Sequence, residues 1–187
     1  MLQEGRKSGR KRLIRPVQSL STDELRELYD EYGSRIHTLA RYTLGSDVAA
    51  EDAVQTVFLK AAESRANFRR ESSPGTWLWR IAVNHCNDEL RRRRRSEEVP
   101  LDAILGWADD ADTPEQRHSV KQIDKIVARA LLELSPKLRT VAVLRYVEEM
   151  QYDEIAEVLG CSIGTVSSRI ARALERLEKV LRPIVRS

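Results

Sequence analysis

The stretch YDEIAEVLGCSIGTVSSRIARALERLEKVL, from Tyr152 to Leu181, decides how the C-terminal part of the chain folds. It predicts a short helix, a tight turn at Gly160 and Cys161, and a long helix. Ser162 can cap the long helix, because its hydroxyl can accept an unpaired backbone N–H of the first turn. Apolar residues recur every three or four positions, which predicts one buried face on each helix. They are Ile155, Ala156 and Leu159 on the first helix, and Val166, Ile170, Leu174, Leu177 and Leu181 on the second.

The other face of the long helix is polar and basic. It carries Thr165, Ser168, Arg169, Arg172 and Arg176, flanked by the acids Glu175 and Glu178. This pattern is typical of the helix-turn-helix, whose second helix enters the major groove of DNA. Arginine can bind guanine through two hydrogen bonds, and serine or threonine can reach bases or phosphates. A plain helical hairpin, whose charged face meets only water, is the alternative.

Charge is distributed unevenly along the chain. The 187 residues leave room for one large or two small domains, and the net charge is only +3. However, Arg91 to Arg95 is an unbroken arginine run, whereas the chain from Glu97 to Glu115 contains acids and no base. Basic blocks separated by an acidic stretch indicate contact with nucleic acid in two places.

The sequence contains no recognisable catalytic, metal or membrane motif. Cys86 and Cys161 are far apart, and neither they nor the three histidines match a metal-binding spacing. We therefore expect no catalytic residue, no metal, no cofactor and no enzymatic activity. The basic N-terminus is not followed by an apolar signal segment, and no run of about 18 apolar residues occurs. These features predict a cytoplasmic protein with reduced thiols and no membrane insertion.

Local signals predict three helices in the N-terminal half. A capping box at Ser21 to Glu24 begins a helix that Gly45 ends, and a second helix runs to about Ser64. The second helix has an exposed face with Asp52, Gln55, Thr56 and Lys60, which either meets water or docks a partner.

The loop NFRRESSPG, from Asn67 to Gly75, precedes a third helix that Thr76 can cap and that runs to about Arg94. We expect Trp77 on a side stripe of this helix and Trp79 at the surface or rim. An arginine-rich loop beside aromatic residues can grip single-stranded nucleic acid, because bases stack on the rings while arginines follow the phosphates. Ordinary packing of both tryptophans is the alternative.

These observations predict an all-α fold of two small helical domains joined by an acidic flexible linker, the second domain ending in the helix-turn-helix. A Ser135-Pro136 pair begins a helix in the second domain, with proline at its first position. The predicted boundaries are a disordered basic tail over residues 1–20, a first domain over 21–95, a linker over 96–118 and a second domain over 119–187.

Three segments carry a family resemblance. They are DAVQTVFLKA (Asp52 to Ala61), NFRRESSPGTWLWRIAVN (Asn67 to Asn84) and LSPKLRTVAVLRYVEEMQYDEIAEVLGCSIGTVSSRIARAL (Leu134 to Leu174). In this order and spacing they resemble the polymerase-binding helix, the promoter-melting segment and the −35-binding domain of a bacterial sigma factor. The chain is similar to the extracytoplasmic-function (group IV) sigma factors of the sigma-70 family, which have only a linker between the last two parts.

The resemblance implies roles for three sets of residues. The polymerase-binding set, directed at the clamp of the largest subunit, would be Asp52, Gln55, Thr56 and Phe58. The set that holds the opened −10 strand would be Asn67, Phe68, Arg69, Arg70, Ser72, Ser73, Trp77, Arg80 and Asn84. The set that meets the −35 duplex would be Thr165, Ser167, Ser168, Arg169, Arg172 and Arg176.

The resemblance also implies partners. They would be core RNA polymerase, through its clamp and flap regions, promoter DNA in duplex and single-stranded form, and an anti-sigma factor. A stand-alone dimeric helix-turn-helix regulator that binds only duplex DNA is the rival function, and the first domain with its tryptophan-flanked loop argues against it.

Overall fold

The computed structural model describes residues 20–68, 72–95 and 114–185. Within these ranges the chain forms seven α-helices and a turn of 3₁₀ helix (Arg65–Asn67), without a β-strand, so the predicted all-α fold is confirmed. The helices are α1 (Thr22–Leu44), α2 (Asp47–Ser64), α3 (Pro74–Arg95), α4 (Pro114–Leu132), α5 (Pro136–Tyr146), α6 (Tyr152–Leu159) and α7 (Ile163–Val185). Residues 1–19 of the predicted basic tail and most of the predicted acidic linker lie outside the described residues. Leu20, which was assigned to the tail, is only 2% exposed, and its N–H donates to the carbonyl of Arg65 at 3.2 Å.

Local capping chemistry sets both ends of α1. The Ser21 hydroxyl accepts a hydrogen bond from the backbone N–H of Glu24 at 3.1 Å, and the Glu24 carboxylate accepts one from the backbone N–H of Ser21 at 2.8 Å. At the other end Gly45 takes a left-handed conformation, with φ 74°, and its N–H donates to the carbonyl of Arg41. A residue with a side chain adopts this left-handed conformation only at a cost in free energy, which glycine avoids. Gly45 therefore ends α1, as the sequence predicted.

Two helices begin earlier than the sequence patterns predicted, and both begin at a proline. Helix α3 starts at Pro74 rather than after Thr76, and the Ser73 hydroxyl accepts the N–H of Thr76 at 3.0 Å. Helix α4 starts at Pro114, inside the stretch assigned to the linker. Proline suits the first helical position because its missing N–H would have no intrahelical partner there.

Helices α1, α2 and α3, which we call the first helical group, pack around a core of buried apolar side chains. Ile36, Val57 and Leu78 are fully buried in it. Trp79 is only 3% exposed and packs edge-on against Tyr32, with the ring centroids 6.4 Å apart. The expectation that Trp79 lies at the surface or rim is therefore wrong.

Helices α4 to α7 form the second helical group. Its core contains Val141, Ile155, Val166 and Ile170, as the periodicity predicted for the last three. One position differs, since Leu174 is 45% exposed and the neighbouring Ala173 is fully buried. The helix turns about 100° per residue, so Ala173 lies about 20° around the helix axis from the buried Val166, whereas Leu174 lies about 80° from it.

The two helical groups pack directly against each other. Helix α1 contacts α4 and α5, and α3 contacts α5 and α6. A buried arginine fastens this junction: the Arg139 guanidinium donates to the carbonyl of Thr43 at the end of α1. It also donates to the carbonyls of Leu131, Leu132 and Leu134 at the end of α4. The C-terminal ends of α1 and α4 thus bind the same guanidinium, whose positive charge interacts favourably with the negative ends of both helix dipoles.

Candidate nucleic-acid interface

Helices α6 and α7 meet at the turn that the sequence predicted. Gly160 ends α6 in a left-handed conformation, with φ 60°, and its N–H donates to carbonyls of the last turn. The Ser162 hydroxyl accepts the N–H of Thr165 at 3.1 Å, so it caps α7 as expected. The two helices share the buried core through Ile155, Val166 and Ile170. This packing holds α7 in place and leaves its other face outward.

The outward face of α7 carries the residues predicted to meet duplex DNA. Ser167, Ser168, Arg172 and Arg176 are exposed, whereas Thr165 and Arg169 are half-buried. The neighbouring acids are engaged along the helix: Glu175 pairs with Lys179 at 2.7 Å, and Glu178 pairs with Arg182 at 2.5 Å. The bond from Lys179 lowers the pKa of the Glu175 carboxyl. A serine-rich and arginine-rich face at the start of a helix offers donors for base edges and phosphates.

The residues predicted to hold a single strand do not all share one open surface. Phe68 is only 3% exposed and packs against Trp77, with the ring centroids 5.1 Å apart. Ser73, which caps α3, and Asn84 are exposed, and Ser72 and Trp77 are half-buried. Arg69, Arg70 and the side chain of Asn67 lie outside the described residues. The Phe68 ring therefore lies in the core, where it packs against the Trp77 ring.

Arg80 on α3 is held by the second helical group. Its guanidinium donates to the backbone carbonyl of Glu157 on α6 through two nitrogens, at 3.1 and 3.0 Å. The guanidinium is therefore held at α6, although 40% of the side chain is exposed. For these nitrogens to bind DNA, their bonds to the Glu157 carbonyl would have to break.

The predicted polymerase-binding residues border an exposed, partly apolar surface on α2. Asp52 and Gln55 are exposed, while Thr56 and Phe58 are half-buried. An open groove of about 540 Å³ runs between α1 and α2, and Phe58 packs edge-on against Tyr29 beside it. Exposed apolar side chains next to polar ones are typical of protein-binding surfaces. The exposed apolar residues here are Tyr29, Val48 and Leu59.

Arg35 on α1 is a candidate that the sequence analysis missed. Its guanidinium carbon lies 5.8 Å from the centre of the Tyr32 ring and 5.4 Å from that of Trp79. Its Nε also donates to the carboxylate of Glu148 at 2.9 Å. No short motif signals this arrangement, because Glu148 is 113 residues away in sequence.

Two titratable side chains of the first helical group, His85 and Cys86, are buried. Burial, together with the charges of Lys60 and Arg92, lowers the pKa of His85. Burial raises the pKa of the Cys86 thiol to about 12. Over the described ranges, no group of three or more histidine, cysteine or acidic side chains is placed to hold a metal ion. In the same ranges no helix is both long and apolar enough to cross a membrane.

Family models match both helical groups. The model for Sigma-70 region 2 matches residues 28–96, and the model for Sigma-70, region 4 matches residues 124–177. The ECF RNA polymerase sigma-E factor of Haemophilus influenzae is 34% identical over 182 residues, covering 92% of this chain and 95% of that protein. The ECF RNA polymerase sigma factor SigW of Bacillus subtilis is 31% identical over 184 residues, covering 93% and 97%.

Solved structures show the same similarity. The sigma factor RpoE from Bartonella quintana, in complex with the anti-sigma factor NepR, superposes with a TM-score of 0.66 at 28% identity, covering 87% of this chain and 98% of that one. CnrH, in complex with the cytosolic domain of CnrY, gives a TM-score of 0.65 at 26% identity, covering 87% and 90%.

The chain therefore belongs to the sigma-70 family of transcription initiation factors, among the ECF RNA polymerase sigma factors. The family that the sequence motifs resemble is thus confirmed. The match over region 2 separates the chain from a stand-alone helix-turn-helix regulator, which needs only the second helical group to bind DNA.

Proposed function

We propose that this chain binds core RNA polymerase, reads a −35 element as duplex DNA with α7, and holds the opened −10 strand with the loop before α3 and with α3 itself. The observation that carries the proposal is the exposed basic face of α7 on one helical group, together with an aromatic and arginine-bearing segment on the other. Promoter opening needs both activities, since one binds duplex and the other binds the separated strand.

The proposed domains follow these two DNA-binding activities. Residues 21–95 would form the domain for polymerase and the −10 element, and residues 119–187 the domain for the −35 element. The chain between residue 95 and α4, which begins at Pro114, would tether them, with a basic tail ahead of Leu20. The chain would work in the cytoplasm, where core polymerase and DNA are found.

The residues proposed to contact DNA would bind different parts of the promoter. Arg172 and Arg176 are exposed on α7 and would bind bases or phosphates of the −35 duplex, together with Thr165, Ser167, Ser168 and Arg169. Trp77 would stack on a base of the opened strand, because its half-buried ring is supported by Phe68. Arg69 and Arg70 would follow the phosphates of that strand.

Regulation by an anti-sigma factor is part of the proposal. One solved structure similar to this chain holds a sigma factor in complex with an anti-sigma factor, and another holds CnrH in complex with the cytosolic domain of CnrY. The exposed surface of α2, with Val48 and Leu59, offers apolar area that either polymerase or an inhibitor can cover. An inhibitor on this surface would compete with polymerase directly.

A binding experiment tests the polymerase interface. Asp52→Arg reverses a charge on the exposed face of α2, and we expect it to weaken co-elution with purified core polymerase by about tenfold or more, as for an unfavourable charge placed in an interface. Glu133→Arg is the matched control, because it makes the same charge change at an exposed position of the second helical group. Equal co-elution of Asp52→Arg and the control would remove α2 from the interface.

A further inference from the structure

Ile163 is the first residue of α7, and its side chain is 53% exposed. Ile170, seven residues later, lies on nearly the same side of the helix and is only 2% exposed. Side chains of a helix tilt toward its N-terminus, so the side chain of the first residue projects past the end of the helix. The core that covers Ile170 therefore ends before Ile163, which presents a branched apolar group at the start of α7.

Exposed residues beside Ile163 already belong to the proposed −35-binding surface. Ser167, one turn later and about 40° around the helix axis, is exposed, and so is its neighbour Ser168. In a helix-turn-helix, the N-terminal residues of the second helix reach the base edges in the major groove. Ile163 is therefore continuous with the −35-binding surface and lies at the end of α7 that reaches the bases.

Gly164 leaves open space next to Ile163. Beyond the neighbouring residues of the helix, a Cβ atom on Gly164 would meet only the Ser162 hydroxyl oxygen, at 3.9 Å, which is an ordinary van der Waals distance. The fold therefore does not require glycine at this exposed position, although glycine stabilises a helix less than alanine does. The absence of a side chain allows the start of α7 to approach another molecule closely.

The chemistry around Ile163 indicates that this molecule is DNA. From Cys161 to Leu174 the chain contains Arg169 and Arg172 and no acidic residue. From Tyr152 to Ala173, all of which the structure describes, Ile163 is the one exposed large apolar side chain. A protein-binding surface would offer a wider apolar area. Positive charge around a single apolar group suits a duplex, whose phosphates are negative and whose major groove exposes the methyl groups of thymine.

We propose that Ile163 is a specificity-determining residue that packs against the C5-methyl group of a thymine in the −35 element. This inference rests on the −35-binding role proposed above for α7. Thymine alone among the four bases carries a methyl group in the major groove, and apolar side chains contact it there. Ile163 thus adds a preference for an A·T pair at one position, through an apolar contact that the serines and arginines of α7 do not supply.

Replacing thymine by deoxyuridine tests this contact directly, because it removes the methyl group and leaves the base pairing unchanged. Burying one methyl group strengthens binding by about fourfold. We call the complex of purified core polymerase with the full chain the holoenzyme. We expect the holoenzyme to prefer thymine over deoxyuridine by about this factor at a position of the −35 element.

The assay is a competition between two templates in one reaction. Promoter fragments are first selected by the holoenzyme from duplexes of random sequence over the −35 segment. Each thymine of the selected −35 element is then replaced by deoxyuridine in turn. The thymine and deoxyuridine templates carry transcribed regions of different length, so the ratio of the two run-off transcripts measures the preference for the methyl group.

Three variants connect this preference to Ile163. Ile163→Ala removes the branched apolar group and should abolish the preference, whereas Ile163→Val keeps most of that group and should retain most of the preference. Ile123→Ala is the matched control, because it truncates an isoleucine that is 61% exposed on α4, and it should keep the wild-type preference. All proteins are compared on the same templates, so an effect of deoxyuridine on the shape of the duplex is common to all of them.

A preference that Ile163→Ala abolishes and Ile123→Ala keeps would support the contact. A −35 element without thymine, no preference at any thymine, or an equal preference of Ile163→Ala and the wild type would overturn it. Lower yields of Ile163→Ala from both templates at an unchanged ratio would likewise overturn it, by assigning Ile163 to a protein contact. Circular dichroism shows whether Ile163→Ala folds, and Ile163→Ser takes its place if it does not.

Failure of the proposed function is distinguishable from failure of this inference. Absence of any transcript with the wild-type chain would overturn the proposed function and the inference that rests on it. Transcripts that form equally well on the thymine and deoxyuridine templates would overturn the contact of Ile163 alone.

Discussion

Replacing Arg139 by methionine tests the junction between the two helical groups. Methionine fills a similar length with apolar atoms but donates no hydrogen bond. The guanidinium donates to four carbonyls, at 2.9 Å to Leu131, 2.6 Å to Leu132, 3.1 Å to Leu134 and 2.5 Å to Thr43. Arg139 is only 6% exposed, so water does not readily replace it.

The magnitude follows from two opposing contributions. Hydrogen bonds to a charged group contribute about 1.5–3 kcal/mol each, so four of them set an upper limit of roughly 6–12 kcal/mol. Removing the buried charge recovers a desolvation penalty of several kcal/mol, and some carbonyls gain water as the junction relaxes. We expect a net loss of about 2–4 kcal/mol, a large part of the 5–15 kcal/mol that typically stabilises a protein.

Urea-induced unfolding followed by circular dichroism measures this loss. Arg139→Lys should lose less stability than Arg139→Met, because lysine keeps the positive charge. It should still lose some stability, because lysine carries that charge on a single nitrogen. Arg26→Met, at an exposed position of α1, is the control and should change stability by less than about 0.5 kcal/mol. A loss for Arg139→Met no larger than that of the control would refute the role assigned to Arg139.

Three further predictions concern single residues. Arg172→Ala should weaken transcription from a −35-dependent promoter by about 1–3 kcal/mol if the side chain contacts a base, and unchanged output would argue against that contact. A thiol reagent should label half-buried Cys161 in the folded protein and Cys86 only on unfolding, because burial raises the pKa of Cys86 to about 12. Labelling of both thiols at equal rates, compared with Cys161→Ser, would contradict the buried site. The pKa of His85 is lowered by burial and by Lys60 and Arg92, so its contribution to stability is complete above its ordinary value of 6.5 and is lost as pH falls below 6.5. His85→Gln should remove this part of the pH dependence, and identical pH profiles would exclude it.

Both ends of α1, the end of α6 and the start of α7 were predictable because their capping chemistry is local. The capping box at Ser21, the glycine stops at Gly45 and Gly160, and the Ser162 cap all join residues within about one turn. Arg139 was not predictable in the same way, since its bond to Thr43 spans 96 residues. Nothing in the neighbouring sequence distinguishes a buried arginine from a solvated one.

The exposed face of α7 could be predicted from the sequence, because helix periodicity is also a local signal. Periodicity alone orients α7, and the predicted basic residues Arg172 and Arg176 are exposed on it. Trp79 was misplaced because an aromatic residue in a helix suits either a core or a rim. Its burial depends on packing against Tyr32, 47 residues earlier in the chain. The pairing of Arg35 with Glu148 joins the two helical groups and has no local signal.

Run-off transcription on a pool of genomic promoter fragments tests whether the chain acts as a sigma factor. Purified core polymerase is compared with and without the full chain. We expect discrete new transcripts only when the chain is present, with shared sequences near −35 and −10 upstream of their starts. Tight binding to a palindromic duplex, without any new transcript from a sample free of co-purified inhibitor, would contradict it.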